Sequence, residues 1–313
     1  MRALTLSISI VAVAAAAQTP VPSQPPPPAP TPTQTAAPPD TEIFLAPLTT
    51  AGGRVTIGRA ANITNSPGYD NQPSFTPDGR SVLFTSTRGR RQTDIYRYDI
   101  RSGMTTQVTE TPESEYSPTV TPDGAHISVI RVEADGAQRL WQFTLDGREP
   151  SLVLRDVKPV GYHAWVDATT LVLFVLGPPA TLQVADTRTG KADIVARDVA
   201  RSIQPIPSRV AVSFVAREVA SAPQSTLLAI RELDPKTRAV TPLVNAPAGA
   251  READLAWTPD GLLIVAKDDV LYGWRRGDAE WKEVANLTAL GLHGVSRIAV
   301  SPTSDWIAFV TQP

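Results

Sequence analysis

One tetrapeptide recurs along this chain and constrains its architecture more than any other feature. Thr76-Pro77-Asp78-Gly79, Thr121-Pro122-Asp123-Gly124 and Thr258-Pro259-Asp260-Gly261 follow Phe75, Val120 and Trp257, and each leads into an apolar run, at 82–84, 127–130 and 262–266. Proline presets φ at the first turn position, aspartate can bond its own backbone and glycine accepts positive φ, so each copy predicts a β-hairpin. Degraded copies stand at Trp165-Val166-Asp167, Pro205-Ile206-Pro207 and Val300-Ser301-Pro302. Counted from positions 76, 121, 166, 206, 258 and 301, the intervals run from 40 to 52 residues and average 45. A period of this size marks a repeat fold. Six units of that length fill the 273 residues from 41 to 313.

A second pair of β-patterned segments follows each of the first five hairpins: 94–98 with 105–109, 139–144 with 151–154, 182–185 with 192–195, 227–230 with 240–244, and 270–274 with 282–285. Each unit therefore has four strands, and no stretch shows a sustained helical period. The sixth unit reaches position 313 directly after its second strand, at 306–310; its outer pair is matched at 42–46 and, beyond Gly52-Gly53, at 61–64. The fold class expected is all-β, a six-bladed β-propeller of four-stranded blades closed by strands from both termini. Closure of this kind removes exposed sheet edges.

The leading residues read differently. After Arg2, residues 3–17 carry no charge and end in small residues, the build of a secretory signal peptide cleaved near Ala17-Gln18. Residues 18–40 hold ten prolines in 23 positions, with few apolar side chains to bury, and read as a disordered or polyproline-II linker. The mature protein is then periplasmic or secreted, without stable membrane insertion. The chain has no cysteine, which excludes disulfides, thiolate metal sites and cysteine nucleophiles. With 29 basic against 31 acidic residues there is no broad basic field, so nucleic acid is not an expected partner.

Residues 73–79, 82–85, 94–98, Val108-Thr109 and 118–124 together resemble the blade of the periplasmic TolB family, which reads Pro-x-x-Ser-Pro-Asp-Gly, an apolar strand, Asp-Ile-Tyr and Leu-Thr. The resemblance runs through most of 41–313 and implies the propeller fold and docking of an envelope protein or peptide. That family carries an α/β domain before its propeller, where the Pro-rich linker stands here. The same blade serves peptidases, lyases and scaffolds, so the resemblance speaks for fold before function.

In a propeller the segment leading into each blade's first strand converges on one mouth of the central channel. Alignment of the units puts Asp70 and Asn71, Glu115 and Tyr116, Tyr162 and His163, Arg201, Arg251 and Asp254, and Arg297 at that mouth as candidate ligand-binding residues. Gln72, Ser202 and Ser296 accompany them. No Gly-x-Ser-x-Gly elbow, His-Glu-x-x-His, calcium loop or phosphate loop occurs, and with only three histidines neither a catalytic set nor a metal or other cofactor is expected. The six tryptophans are spread over the units and suit packing between blades. The reading that follows is a monomeric, non-enzymatic, protein- or peptide-binding or scaffold module of the cell envelope. The alternative is a small carbohydrate- or lactone-acting hydrolase or lyase at the channel mouth, which would need a cluster of carboxylates there with His163 or a bound cation.

Overall fold

The computed structural model describes residues 38–313, apart from 52–53, 89, 91, 220–225 and 251. The expected signal peptide and residues 18–37 of the linker lie outside the described residues, as does Arg251. Among the described residues, twenty-five strands make six sheets. The chain opens inside the closing blade with β1 (Glu42–Ala51), β2 (Arg54–Ile57) and β3 (Ala61–Asn62). The first complete blade is β4 (Asp70–Phe75), β5 (Ser81–Ser86), β6 (Asp94–Asp99) and β7 (Met104–Gln107); the second is β8 (Ser114–Val120), β9 (His126–Val132), β10 (Gln138–Thr144) and β11 (Ser151–Leu152). The third holds β12 (Val160–Trp165), β13 (Thr170–Val175), β14 (Thr181–Asp186) and β15 (Lys191–Arg197), and the fourth β16 (Val199–Pro205), β17 (Val212–Val219), β18 (Thr226–Leu233) and β19 (Val240–Asn245). The fifth holds β20 (Leu255–Trp257), β21 (Leu262–Lys267), β22 (Val270–Arg275) and β23 (Lys282–Asn286); β24 (Arg297–Val300) and β25 (Trp306–Thr311) then join β1.

Every blade is an antiparallel meander, and the ring closes where Glu42 pairs with Thr311 and Pro47 with Trp306 across β1 and β25. The outer strand of that blade departs from the sequence expectation of a single segment at 61–64. It comes in two pieces, β2 on residues 48–51 of β1 and β3 on residues 44–45. Pro47 sits at the break. It has no N–H to give to a ladder, and its carbonyl instead accepts the Gly58 N–H at 2.8 Å.

The hairpin turns form as their composition dictates. Thr76 Oγ1 donates to Asp78 Oδ1 at 2.6 Å, the Arg80 N–H donates to the same oxygen at 3.1 Å, and Gly79 takes φ +69°. Thr121 and Asp123 repeat this at 2.5 Å, and Thr258 bonds Asp260 in the same way. Six apolar clusters occupy the six seams between neighbouring blades: Phe84 with Ile43 and Val310, Leu83 with Ile127 and Phe143, Leu171 with Ile130, Phe214 with Val172, Leu263 with Val215, and Phe309 with Ile264. Middle strands are thus buried on both faces. That is why Val82-Leu83-Phe84 and Leu171-Val172-Leu173 read as unbroken apolar runs instead of alternating. Among the described residues, no helix is long and apolar enough to cross a membrane.

Candidate ligand-binding channel

The first strand of every blade lines an axial cavity of about 610 Å³. Its wall has two levels, each supplied once per blade. The polar level consists of Gln72, Ser117, Tyr162, Arg201, Asp254 and Arg297. Nearer the hairpin turns stand Phe75, Val120, Trp165, Pro205, Trp257 and Val300. Four of the first strands carry a break in register, between Asn71 and Ser74, Tyr116 and Thr119, Val160 and Tyr162, and Val199 and Ile203. At Gln72 and Ser117 the backbone turns left-handed, with φ +57° and +54°. Bulges of this kind re-aim side chains, and in the first two blades they turn Gln72 and Ser117 to the channel in place of Asn71 and Tyr116.

The polar level is cross-linked. Arg297 Nη2 donates to Tyr162 Oη at 2.5 Å, with the guanidinium carbon 5.0 Å from the Tyr162 ring centroid. Gln72 Nε2 reaches the same hydroxyl at 3.5 Å, while its Oε1 accepts from Thr85 Oγ1 at 3.0 Å and the Ser117 N–H at 2.8 Å. Asp254 Oδ1 stands 4.0 Å from Arg297 Nη1, and Oδ2 accepts the Ile298 N–H at 2.9 Å. Arg201 donates to the Ser296 carbonyl at 3.1 Å and pairs with Glu252 at 3.1 Å. Burial works against the Arg297 charge, but Tyr162 and Asp254 outweigh it and raise the guanidinium pKa. Burial likewise pushes Asp254 up against the pull of Arg297, and Tyr69 up to about 12.

At the aromatic level the indoles are tied down from behind. Trp165 Nε1 donates to Ser128 Oγ at 2.9 Å, and Trp257 Nε1 to Ser213 Oγ at 2.9 Å. Each serine belongs to the preceding blade and donates in turn to a first-strand carbonyl, Thr119 at 3.1 Å and Gln204 at 3.2 Å. His163 Nε2 joins the first of these knots, 2.7 Å from Ser128 Oγ. Burial lowers His163 to about 4, so the ring is neutral at pH 7. Ser128 is fully buried and outside the cavity lining, so this Ser–His contact presents no nucleophile to a ligand. Among the described residues, no three His, Asp or Glu side chains converge as metal ligands.

Comparison with known proteins agrees with this geometry. The model of the TolB beta propeller domain matches residues 50–158. The Tol-Pal system protein TolB of Bordetella pertussis is 54% identical over 41 residues, a stretch that spans 13% of this chain and only 9% of that relative. A solved structure assigned as TolB from Agrobacterium tumefaciens superimposes with a TM-score of 0.63 at 14% identity, over 87% of this chain and 98% of that one. The ring is a β-propeller whose residues 50–158 are similar to TolB blades. The oligogalacturonate lyase of Vibrio parahaemolyticus also aligns, with a TM-score of 0.50 and 14% identity, over 86% and 98% of the two chains. At such identities the structural likeness concerns fold alone.

The propeller brings together only some of the residues that sequence alignment of its units placed at the mouth. Gln72, Tyr162, His163, Arg201, Ser202, Asp254 and Arg297 line the cavity. Asp70, Asn71, Glu115 and Tyr116 are not among the lining residues, and Asp70 and Glu115 are fully buried. Asp70 lies in the seam with the closing blade, and burial pushes its carboxyl up to about 7. Glu115 accepts from Thr111 Oγ1 at 2.5 Å and Thr109 Oγ1 at 3.2 Å, with Arg131 at 3.5 Å; burial still dominates and raises it to about 7. The Glu115 carboxyl thus ties β8 to the segment before it, whereas both Asp70 carboxyl oxygens are buried without a hydrogen-bond partner. Ser117 and the six-residue aromatic level were not singled out from the sequence as site residues. The alternating pattern of a regular strand predicts one face, whereas the bulge that exposes Ser117 leaves no distinctive residue type behind.

Proposed function

We propose that this protein is an exported protein- or peptide-binding propeller of the cell envelope, with the axial cavity as its binding site. The observation that carries this reading is the two-level wall. Six polar side chains and six apolar ones, all but Asp254 from strands, surround a cavity large enough for a few residues of an extended chain. The Tol-Pal system membership in the name of the Bordetella relative supports an envelope protein as the kind of partner, and the signal-peptide pattern of residues 1–17 supports export. The hydrolase or lyase alternative needs carboxylates gathered around His163 or a cation, whereas Asp254 is the single carboxylate among the cavity-lining residues and His163 is engaged with a buried serine. Site-specific photo-crosslinking tests the proposal. A crosslinker at Gln72 should capture a discrete protein partner that one at Ile194, exposed on the outer strand β15, does not. Equal capture from both positions, or none from Gln72, overturns it.

A further inference from the structure

The end of the channel that faces the hairpin turns has a chemistry of its own. Five of the six first hairpins place an exposed aspartate at their tip: Asp78, Asp123, Asp167, Asp260 and Asp305. The fourth blade breaks the series with Ser208-Arg209. Turn prolines 207, 259 and 302 belong to the cavity wall, so these tips ring its opening, directly above Phe75, Trp165 and Trp257.

The charges on this rim do not cancel. Asp260 is matched by Arg275 at 2.6 Å, and Asp123 faces His126 at 3.2 Å. Arg209 is drawn to Glu232 at 2.8 Å, and Arg276 is held by the same carboxylate. Asp78, Asp167 and Asp305 have no ion-pair partner among the described residues; Arg80 acts on Asp78 from beside it, and Arg188, itself paired with Asp186, acts on Asp167. The Thr76 and Thr121 hydroxyls hold the Asp78 and Asp123 carboxyls below their usual range. At Asp167 burial acts the other way and is outweighed by the Thr169 and Thr170 N–H groups. Asp78, Asp123 and Asp167 are therefore ionised over the whole physiological range. Beneath it, the wall offers aromatic faces and proline rings, with both indole N–H groups already committed to serines.

Carboxylates around an aromatic and apolar collar suit a group that is cationic at one point and aliphatic along its length. Such groups are attracted by the carboxylates and can lie over aromatic faces. We propose that the turn-side mouth docks an extended, lysine- or arginine-bearing segment of a partner protein, its charged groups at the aspartate ring and one aliphatic stem in the collar of Phe75, Trp165 and Trp257. This rests on the peptide-binding reading above and adds the partner's chemistry and its side of entry. A neutral or acidic segment gains nothing from the rim.

Fluorescence anisotropy with a labelled Lys-Gly-Leu-Lys-Gly-Lys peptide and its Glu-for-Lys twin provides the test. The basic peptide should bind at least about tenfold more tightly, and the difference should shrink as salt rises from roughly 25 to 250 mM. The variant D78N/D123N/D167N keeps each turn's Oδ1 acceptor and should lose about tenfold in affinity for the basic peptide with its melting temperature unchanged. Asp305→Asn, at a side chain with no hydrogen bond among the described residues, should weaken binding in the same direction and covers the case where the triple variant folds poorly. Equal binding of the two peptides, or indifference of both variants, overturns the inference. If Gln72 crosslinks to a partner while no charge preference is found, the channel still binds protein and only the basic character of its ligand is refuted.

Discussion

Tyr162 and Arg297 meet across the propeller axis: the hydroxyl belongs to the third blade, the guanidinium to the sixth, and they are 2.5 Å apart. Blades three apart in a ring of six stand opposite each other, so this contact spans the channel. With Gln72 on one side of it and Asp254 on the other, it separates the polar mouth from the aromatic collar. A ligand that threads the whole channel must break it.

The strength of that contact is measurable in a double-mutant cycle. Tyr162→Phe and Arg297→Met should each cost about 1 kcal/mol, and the coupling between them should be about 1–2 kcal/mol because each removes the same charge-assisted bond. Urea unfolding of the four proteins gives the number. A coupling near zero means that the two side chains do not hold each other in solution.

Asp70 and Glu115 make stability depend on pH in an unusual direction. Their folded-state pKa values of about 7 lie above the unfolded values near ~4, so the folded protein binds protons more tightly. Their contribution is fully present below about pH 4 and is lost as pH rises through 7, on the order of 3 kcal/mol per carboxyl. His163 acts oppositely: lowered to about 4, it costs stability as pH falls below ~6.5. Asp70→Asn combined with Glu115→Gln should therefore raise the urea midpoint at pH 8 and flatten its change between pH 5 and 8. A variant midpoint that follows the wild-type curve would refute this.

Gly147 and Gly124 share a backbone conformation but not a neighbourhood. Their φ values are +78° and +68°, yet a Cβ at Gly147 would lie 1.7 Å from the Val108 carbonyl oxygen, whereas one at Gly124 would meet nothing within 4 Å. Gly124→Ala should cost about 1 kcal/mol from the left-handed backbone alone. Gly147→Ala must also push the second blade's outer turn away from the first blade, and should cost roughly 3 kcal/mol or more. Thermal or urea denaturation separates the two; equal losses would mean that the close approach at Gly147 is relieved at no cost.

Ser128 and Ser213 occupy equivalent knots, but only Ser128 also engages a histidine. Ser213→Ala strands the Trp257 N–H, at about 1–2 kcal/mol. Ser128→Ala strands both the Trp165 N–H and His163 Nε2, and should cost about 2–4 kcal/mol. Indole fluorescence during unfolding reports both; equal penalties would show that the His163 contact contributes nothing.

Much of this was readable from local chemistry. Thr76, Pro77, Asp78 and Gly79 specify their turn wherever they occur, and the Trp165 and Trp257 indoles do bridge neighbouring blades as their dispersal suggested. The channel wall was legible at Arg297, which opens the regular strand β24, and at Tyr162 and Arg201, where a break in register still leaves the long side chain of the expected residue on the cavity. It was not legible at Asp70, Asn71 and Glu115. There a bulge follows within two or three residues, and its left-handed Gln72 or Ser117 has no residue-type signature.

The sequence by itself determined the number of blades, the position of each blade's first hairpin and the pairing of both ends in one sheet, because turn chemistry and apolar runs act over a few residues and repeat. Only the tertiary structure decided which side chains face the axis. That depends on bulges set by packing between blades, and on a carboxyl such as Asp70 being buried in a seam instead of bathed in the channel. It also decided that Tyr162 and Arg297, 135 residues apart, close the channel between them, since no local pattern records which blades of a ring stand opposite.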